Sequence, residues 1–197
     1  MAESRSRRRN PLSEYVRQHL APIVAIVISV LSLGVAVSAN RTQERLLAAS
    51  VWPSLEFGSG NRSDEDTDDI TLQLGNNGVG PARLRGVQLL YQGGLVRNSR
   101  ELMQRCCGVG EGVINDVTSG TRGRVLKGGD TIVLIKLPRE TNAEDLWKRF
   151  DRARFEVSVR SCYCSVLDDC WTFDSTQMGA KPVRSCPTLT PDEEWSG

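Results

Sequence analysis

The sequence predicts a mainly β protein: one N-terminal transmembrane helix, then an antiparallel β-sandwich with one short inserted helix. Three observations predict it. Leu20 to Ala39 is a run of twenty residues without a charged side chain. At ~1.5 Å rise per residue such a helix spans ~30 Å, the hydrocarbon core of a bilayer. Beyond Trp52 the apolar period falls to two, in short runs separated by Gly-rich turns. One stretch, near residues 141–150, keeps a helical pattern.

The charge around the apolar run orients it. Arg5, Arg7, Arg8, Arg9 and Arg17 precede it, whereas the next twenty residues hold only Arg41 and Arg45. Positive charge stays cytoplasmic, so the expectation is a single-pass plasma (inner) membrane protein. The N-terminus lies inside and residues 40–197 lie in the periplasm or extracellular space. A cleaved signal peptide is the rival reading, with Val37-Ser38-Ala39 as the cleavage site, but this run exceeds the ~7–15 residues of a signal h-region. Residues 1–39 carry net +3 in a chain of +1, which leaves the remainder at −2. That remainder lacks the clustered Lys and Arg of a nucleic-acid footprint, so no nucleic-acid partner is expected. The lipid bilayer and an envelope protein are.

The domains expected are a basic tail (1–19) too short to fold, the transmembrane helix (20–39), a helical stalk (40–50), a sandwich (51–176) and a tail (177–197). Pro53 stops the stalk and Trp52 opens the core. Leu55 and Phe57 form one strand; Gly58 to Asp69 is a solvated acidic loop, since Asp64, Asp66 and Asp68 alternate but no ion-loop Gly or closing Glu follows. Ile70, Leu72 and Leu74 form the second strand. Asn76-Asn77-Gly78-Val79-Gly80-Pro81-Ala82 is a turn whose Gly and Asn residues permit positive φ. Leu84, Val87, Leu89 and Tyr91 form a third strand with a bulge at Gly86, which turns at Gln92-Gly93-Gly94 into Leu95-Val96. Gly123 to Leu126 and Thr131 to Leu137 flank Lys127-Gly128-Gly129-Asp130 as a hairpin. Phe155, Val157 and Val159 lead to Cys164, and Trp171-Thr172-Phe173 returns. Thr141 and Glu144 have capping-box spacing for the inserted helix, with Leu146, Trp147 and Phe150 as its apolar stripe.

The strand Ile70–Leu74, the turn NNGVGPA and the later VLKGGDTIVLIKL resemble the immunoglobulin-like modules of exported bacterial proteins. The chain is similar over roughly residues 20–175 to uncharacterised bacterial single-span membrane proteins. Those carry a WP motif after the anchor, here Trp52-Pro53, and a CS…CW segment, here Cys164-Ser165 to Cys170-Trp171. The resemblance implies an immunoglobulin-like sandwich and this topology; it implies no activity.

Six cysteines in an exported domain read as disulfides. Cys164 and Cys170 bracket a five-residue hairpin loop and are expected to pair. Adjacent cysteines rarely bond each other, so Cys106 and Cys107 are each expected to find a separate partner. Pairing among Cys106, Cys107, Cys162 and Cys186 is otherwise open. The alternative is redox or copper chemistry: Cys162 and Cys164 share one face of a strand, where two thiolates can hold a soft ion such as Cu(I). Single-span copper chaperones of oxidase assembly share this architecture and a Cys-x-Cys motif. The lone histidine, His19, lies at the cytoplasmic membrane edge, which removes imidazole from any outer catalytic triad. No phosphate-binding loop and no cofactor motif stands out. The expected function is a membrane-anchored extracytoplasmic binding or assembly module without enzymatic activity.

Overall fold

The computed structural model describes residues 11–62 and 68–197. Arg5, Arg7, Arg8 and Arg9 and the loop acids Asp64 and Asp66 lie outside the described residues. The chain divides into two compact units, one ending at Leu47 and one comprising Ala48–Gly197.

The first unit is one helix, α1 (Pro11–Ser50), whose last turn belongs to the second unit. It begins well before the charge-free run, so residues 11–19 are not an unfolded tail. Pro11 suits a first helical position, where its missing N–H leaves no bond unmade. Pro22 lies within α1 without ending it. Polar side chains close on the helix itself: Ser29 donates to the Ala25 carbonyl at 2.8 Å and Thr42 to that of Ser38 at 3.0 Å. Among the described residues, His19–Ser50 is long and apolar enough to cross a membrane, and its most apolar window is wholly unburied.

The second unit holds two antiparallel sheets around one core. The first sheet has the order β1 (Leu55–Gly60), β2 (Asp69–Asn76), β7 (Thr131–Pro138), β5 (Val117–Thr118). The second runs β10 (Lys181–Val183), β9 (Cys170–Asp174), β8 (Val157–Cys164), β3 (Ala82–Tyr91), β4 (Gly94–Val96), with β6 (Val125–Leu126) also on β3. Leu72, Leu74, Leu134 and Leu137 of the first sheet share the core with Val87, Leu89, Val159 and Tyr163 of the second. Period two governs β2, where Ile70, Leu72 and Leu74 are buried and Gln73 is exposed. Two register shifts break the alternation. One, opposite Leu72 and Gln73, lets Leu134 and Ile135 both enter the core; the other, between Leu84 and Gly86, buries Leu84 and Val87 and turns Arg85 outward.

Asn76 ties these parts together. Fully buried, its side-chain amide donates to the carbonyls of Gly80 (2.8 Å), Leu126 (3.0 Å) and Lys127 (3.1 Å). Its oxygen accepts from the backbone N–H of Ser54 (3.0 Å) and Gly78 (3.1 Å). The entry segment, the β2–β3 turn and the β6–β7 turn thus meet at one side chain. Neither Gly78 nor Gly80 has positive φ, contrary to the expectation for this turn. They are needed for close approach instead: a Cβ on Gly80 would overlap the Val51 backbone, and one on Gly78 would meet Trp52 and Ser54.

Five further expectations are corrected. The Lys127–Asp130 turn does not close a hairpin; β6 pairs with β3 and β7 with β2, so the turn crosses between sheets, held by Gly129 N–H donating to the Asn76 carbonyl at 2.7 Å. Phe155 is 72% exposed on a 3₁₀ turn (Arg154–Glu156), its ring covered by the Arg154 guanidinium. Trp52 is 52% exposed, because Pro53 and Leu55 take the core positions. The inserted helix, α3 (Glu144–Ala153), buries Leu146, Trp147 and Phe150, but Thr141 does not cap it. Asn142 instead ties Pro138 and Asn115, while Arg139 and Lys148 hold Glu144, whose carboxyl the Arg139 hydrogen bonds bring down to about 2.

The fifth correction is the C-terminal tail, which is part of the fold. Residues 181–183 form β10, and Trp195 is 1% exposed within the core. Its backbone N–H donates to Val87 on the free edge of β3, its indole N–H to the Ser119 carbonyl at 3.2 Å. A second helix, α2 (Ser99–Cys107), was also unexpected. Asn98 caps it by accepting from Glu101 N–H at 2.9 Å, and Gly108 ends it with φ 61°.

Candidate functional site

The densest chemistry of the second unit lies where the C-terminal segment crosses the outer face of the second sheet. On β8, Val157, Val159 and Tyr163 point into the core, so Cys162 and Cys164 share the opposite face. Cys164 stands directly across the hairpin from Cys170, Cα to Cα 4.0 Å, and the two are bonded. Cys162 lies between Thr172 and Gly86 and is bonded to Cys186, Cα to Cα 5.6 Å. That bond staples residues 184–189 over β3. Gly86 permits the crossing, since a Cβ there would lie 2.6 Å from Leu189 Cδ1.

Cys162 and Cys164, the thiolate pair of the alternative copper or redox reading, are thus each bonded elsewhere, and no cysteine is free. A soft ion would need both bonds reduced before Cys162 or Cys164 could bind it. The two disulfides nevertheless touch. The Cys164 and Cys186 sulfurs, not bonded to each other, are 3.8 Å apart, and with Cys170 all three lie within 4.8 Å.

Cys106 and Cys107 depart from expectation. They are bonded to each other at the end of α2, because the other four cysteines satisfy one another and leave no other sulfur. This difference sets an order of stabilities. The loop-entropy argument assigns about 3 kcal/mol to Cys162–Cys186, about 2 kcal/mol to Cys164–Cys170, and least, about 1 kcal/mol, to the bond between neighbours, which closes only an eight-membered ring. Urea unfolding of the paired Cys→Ser variants of the full chain should return that order; equal losses for all three pairs would contradict it.

Two concavities flank the stapled segment. One, of about 640 Å³, is lined by Cys164, Cys170 and Cys186, by Arg85, Arg122 and Arg184, and by Asp168 and Glu194. Arg122 pairs with Glu194 at 2.7 Å and Asp168 with Arg83. The guanidiniums of Arg85 and Arg184 make no ion pair or hydrogen bond among the described residues, so the pocket retains positive charge. Arg85 arrives there through the β3 bulge. The other cavity, of about 250 Å³, is lined by Cys162, Gly86, Ser161, Phe173 and Leu189 and by the Arg160–Asp174 pair at 2.9 Å. Partial burial pushes the Asp174 carboxyl up, but hydrogen bonds from Thr176 and Arg160 outweigh it and hold it below the usual range.

A second feature lies at the end of the unit where the chain enters from α1. The entry residues, the β2–β3 turn and the β8–β9 loop meet there, since Leu55 pairs Asn76 and Arg83 pairs Cys164. Trp52, Val79, Val166 and Leu167 are all exposed at that end. The spacing of Cys164 and Cys170 pointed to the first site; Cys186, Arg85 and Arg184 carried no local signal, because only the chain crossing assembles them. The chain matches no protein-family model, no curated protein and no solved structure.

Proposed function

We propose that the chain is a membrane-anchored, extracytoplasmic binding or assembly module of the immunoglobulin-like class, without enzymatic activity. The strand order supports the class: β1-β2-β7-β5 and β9-β8-β3-β4 correspond to A-B-E-D and G-F-C-C′ of that sandwich. The resemblance of the NNGVGPA and VLKGGD segments to exported modules points the same way. Helix α1 supports the anchor, since its run Leu20–Ala39 holds no charged residue on any side, which a helix in water avoids. On the charge asymmetry, the N-terminus is cytoplasmic and the β unit periplasmic or extracellular in a plasma (inner) membrane.

One observation carries the binding reading: Trp52, Val79, Val166 and Leu167, from three separate segments, are exposed together at the end where the anchor joins. A partner of this surface is a protein in or beside the same membrane. Photo-crosslinking residues placed at Val79 and Leu167 in cells should yield discrete adducts with a membrane protein, while one at the exposed Met178 should not. Identical labelling at all three positions, or none at Val79 and Leu167, would overturn the reading.

A further inference from the structure

We propose that the arginine-rimmed pocket is a thiol–disulfide exchange site for a carboxylate-bearing small thiol, relayed through Cys164 and Cys186 to Cys162. This stands whether or not the binding reading does. Three features meet in the pocket. Its wall holds the sulfurs of Cys164, Cys170 and Cys186 within 4.8 Å of one another. Arg85 and Arg184 supply cationic groups with no partner among the described residues, whereas the acids present are engaged by Arg83 and Arg122. A non-bonded gap of 3.8 Å separates Cys164 of one disulfide from Cys186 of the other. Unpaired guanidiniums draw in carboxylates and stabilise the thiolates that exchange requires.

The incoming thiolate attacks Cys170 Sγ. The Cys164–Cys170 bond breaks and its electron pair leaves on Cys164 Sγ. That thiolate attacks Cys186 Sγ, forming Cys164–Cys186 and breaking Cys162–Cys186. The electron pair leaves on Cys162, which takes up the proton the incoming thiol lost. One thiol and two disulfides enter, and one thiol and two disulfides leave, so no other oxidant or reductant is needed. The free thiol emerges at the neighbouring cavity, which Cys162 lines. The C-terminal segment stays tethered throughout, moved two residues along β8.

Full-length protein in lipid nanodiscs, treated with glutathione, acid-quenched, alkylated and mass-mapped, tests the relay. The expected product carries glutathione on Cys170, a Cys164–Cys186 bond and an alkylated Cys162. Glutathione on Cys186 with Cys164–Cys170 intact, or reaction confined to Cys106 and Cys107, would overturn it. Cys170→Ser traps the second step independently: a Cys164–Cys186 bond with Cys162 free is expected, and only Cys162–Cys186 with Cys164 free refutes the transfer. At equal thiolate concentration glutathione should react about tenfold faster than cysteamine. Arg85→Gln with Arg184→Gln should abolish that preference; if it persists, the pocket does not select the thiol.

Discussion

Asn76→Ala should lower the unfolding free energy by about 3–5 kcal/mol, the largest loss expected from any single polar substitution here. Two backbone N–H groups, of Ser54 and Gly78, lose their acceptor, and the carbonyls of Gly80 and Leu126 lose this donor, while that of Lys127 keeps the Asp130 N–H. Each orphaned buried group costs about 1–3 kcal/mol, only partly offset by water entering. Asn76→Asp should not rescue stability, since its second oxygen would face three carbonyls. Against a typical margin of about 5–15 kcal/mol, either change brings the β unit close to unfolding. Urea titration of the full chain in detergent, followed by tryptophan fluorescence, measures it. A loss under about 1 kcal/mol for Asn76→Ala would mean that the three segments hold together without this side chain.

Trp195→Ala should cost a comparable amount, about 3–5 kcal/mol, through the cavity left by a fully buried indole and the bond lost to Ser119. Trp52→Ala serves as the internal comparison. Its ring is half exposed, and its carbonyl bond to Gly80 N–H survives substitution, so a change within about 0.5 kcal/mol is expected. The same denaturation measurement decides both. If the two variants behave alike, residues 190–197 are not integral to the core.

The contrast between these tryptophans shows what was legible in the chain. A strand whose apolar residues alternate cleanly, such as Ile70–Leu74, could be read directly, because the pleat imposes period two on any half-buried sheet, and Thr131–Leu137 could be read from its continuous apolar run bounded by a Gly-Gly turn. The Gly86 irregularity and the Gln92-Gly93-Gly94 turn were legible for the same local reason. Helix α2 was missed although Asn98-Ser99-Arg100-Glu101 has cap spacing and Gly108 closes it; its polar Arg100, Gln104 and Arg105 obscure the short stripe of Leu102, Met103 and Cys107. Partnership was not legible. Nothing near Lys127–Asp130 says that the flanking strands join different sheets, and nothing near Trp195 says that a gap on the edge of β3 awaits it. At the candidate site, Cys164–Cys170 was readable as a hairpin pair, but Cys186, Arg85 and Arg184 converge only through a long chain crossing.

That a core residue comes from position 195 has a temporal consequence. Val87, which accepts the Trp195 N–H, is made 108 residues earlier. At roughly 5–20 residues per second, the edge of β3 stands open for roughly 5–20 s of synthesis. Cys162, Cys164 and Cys170 emerge in that interval before Cys186, so an oxidant acting at once can join Cys162 to the wrong neighbour. The unit therefore acquires its closed edge and its last native disulfide late. A chaperone that shields a sheet edge and an isomerase that corrects a mispaired Cys162 would speed its maturation far more than they would raise its final stability.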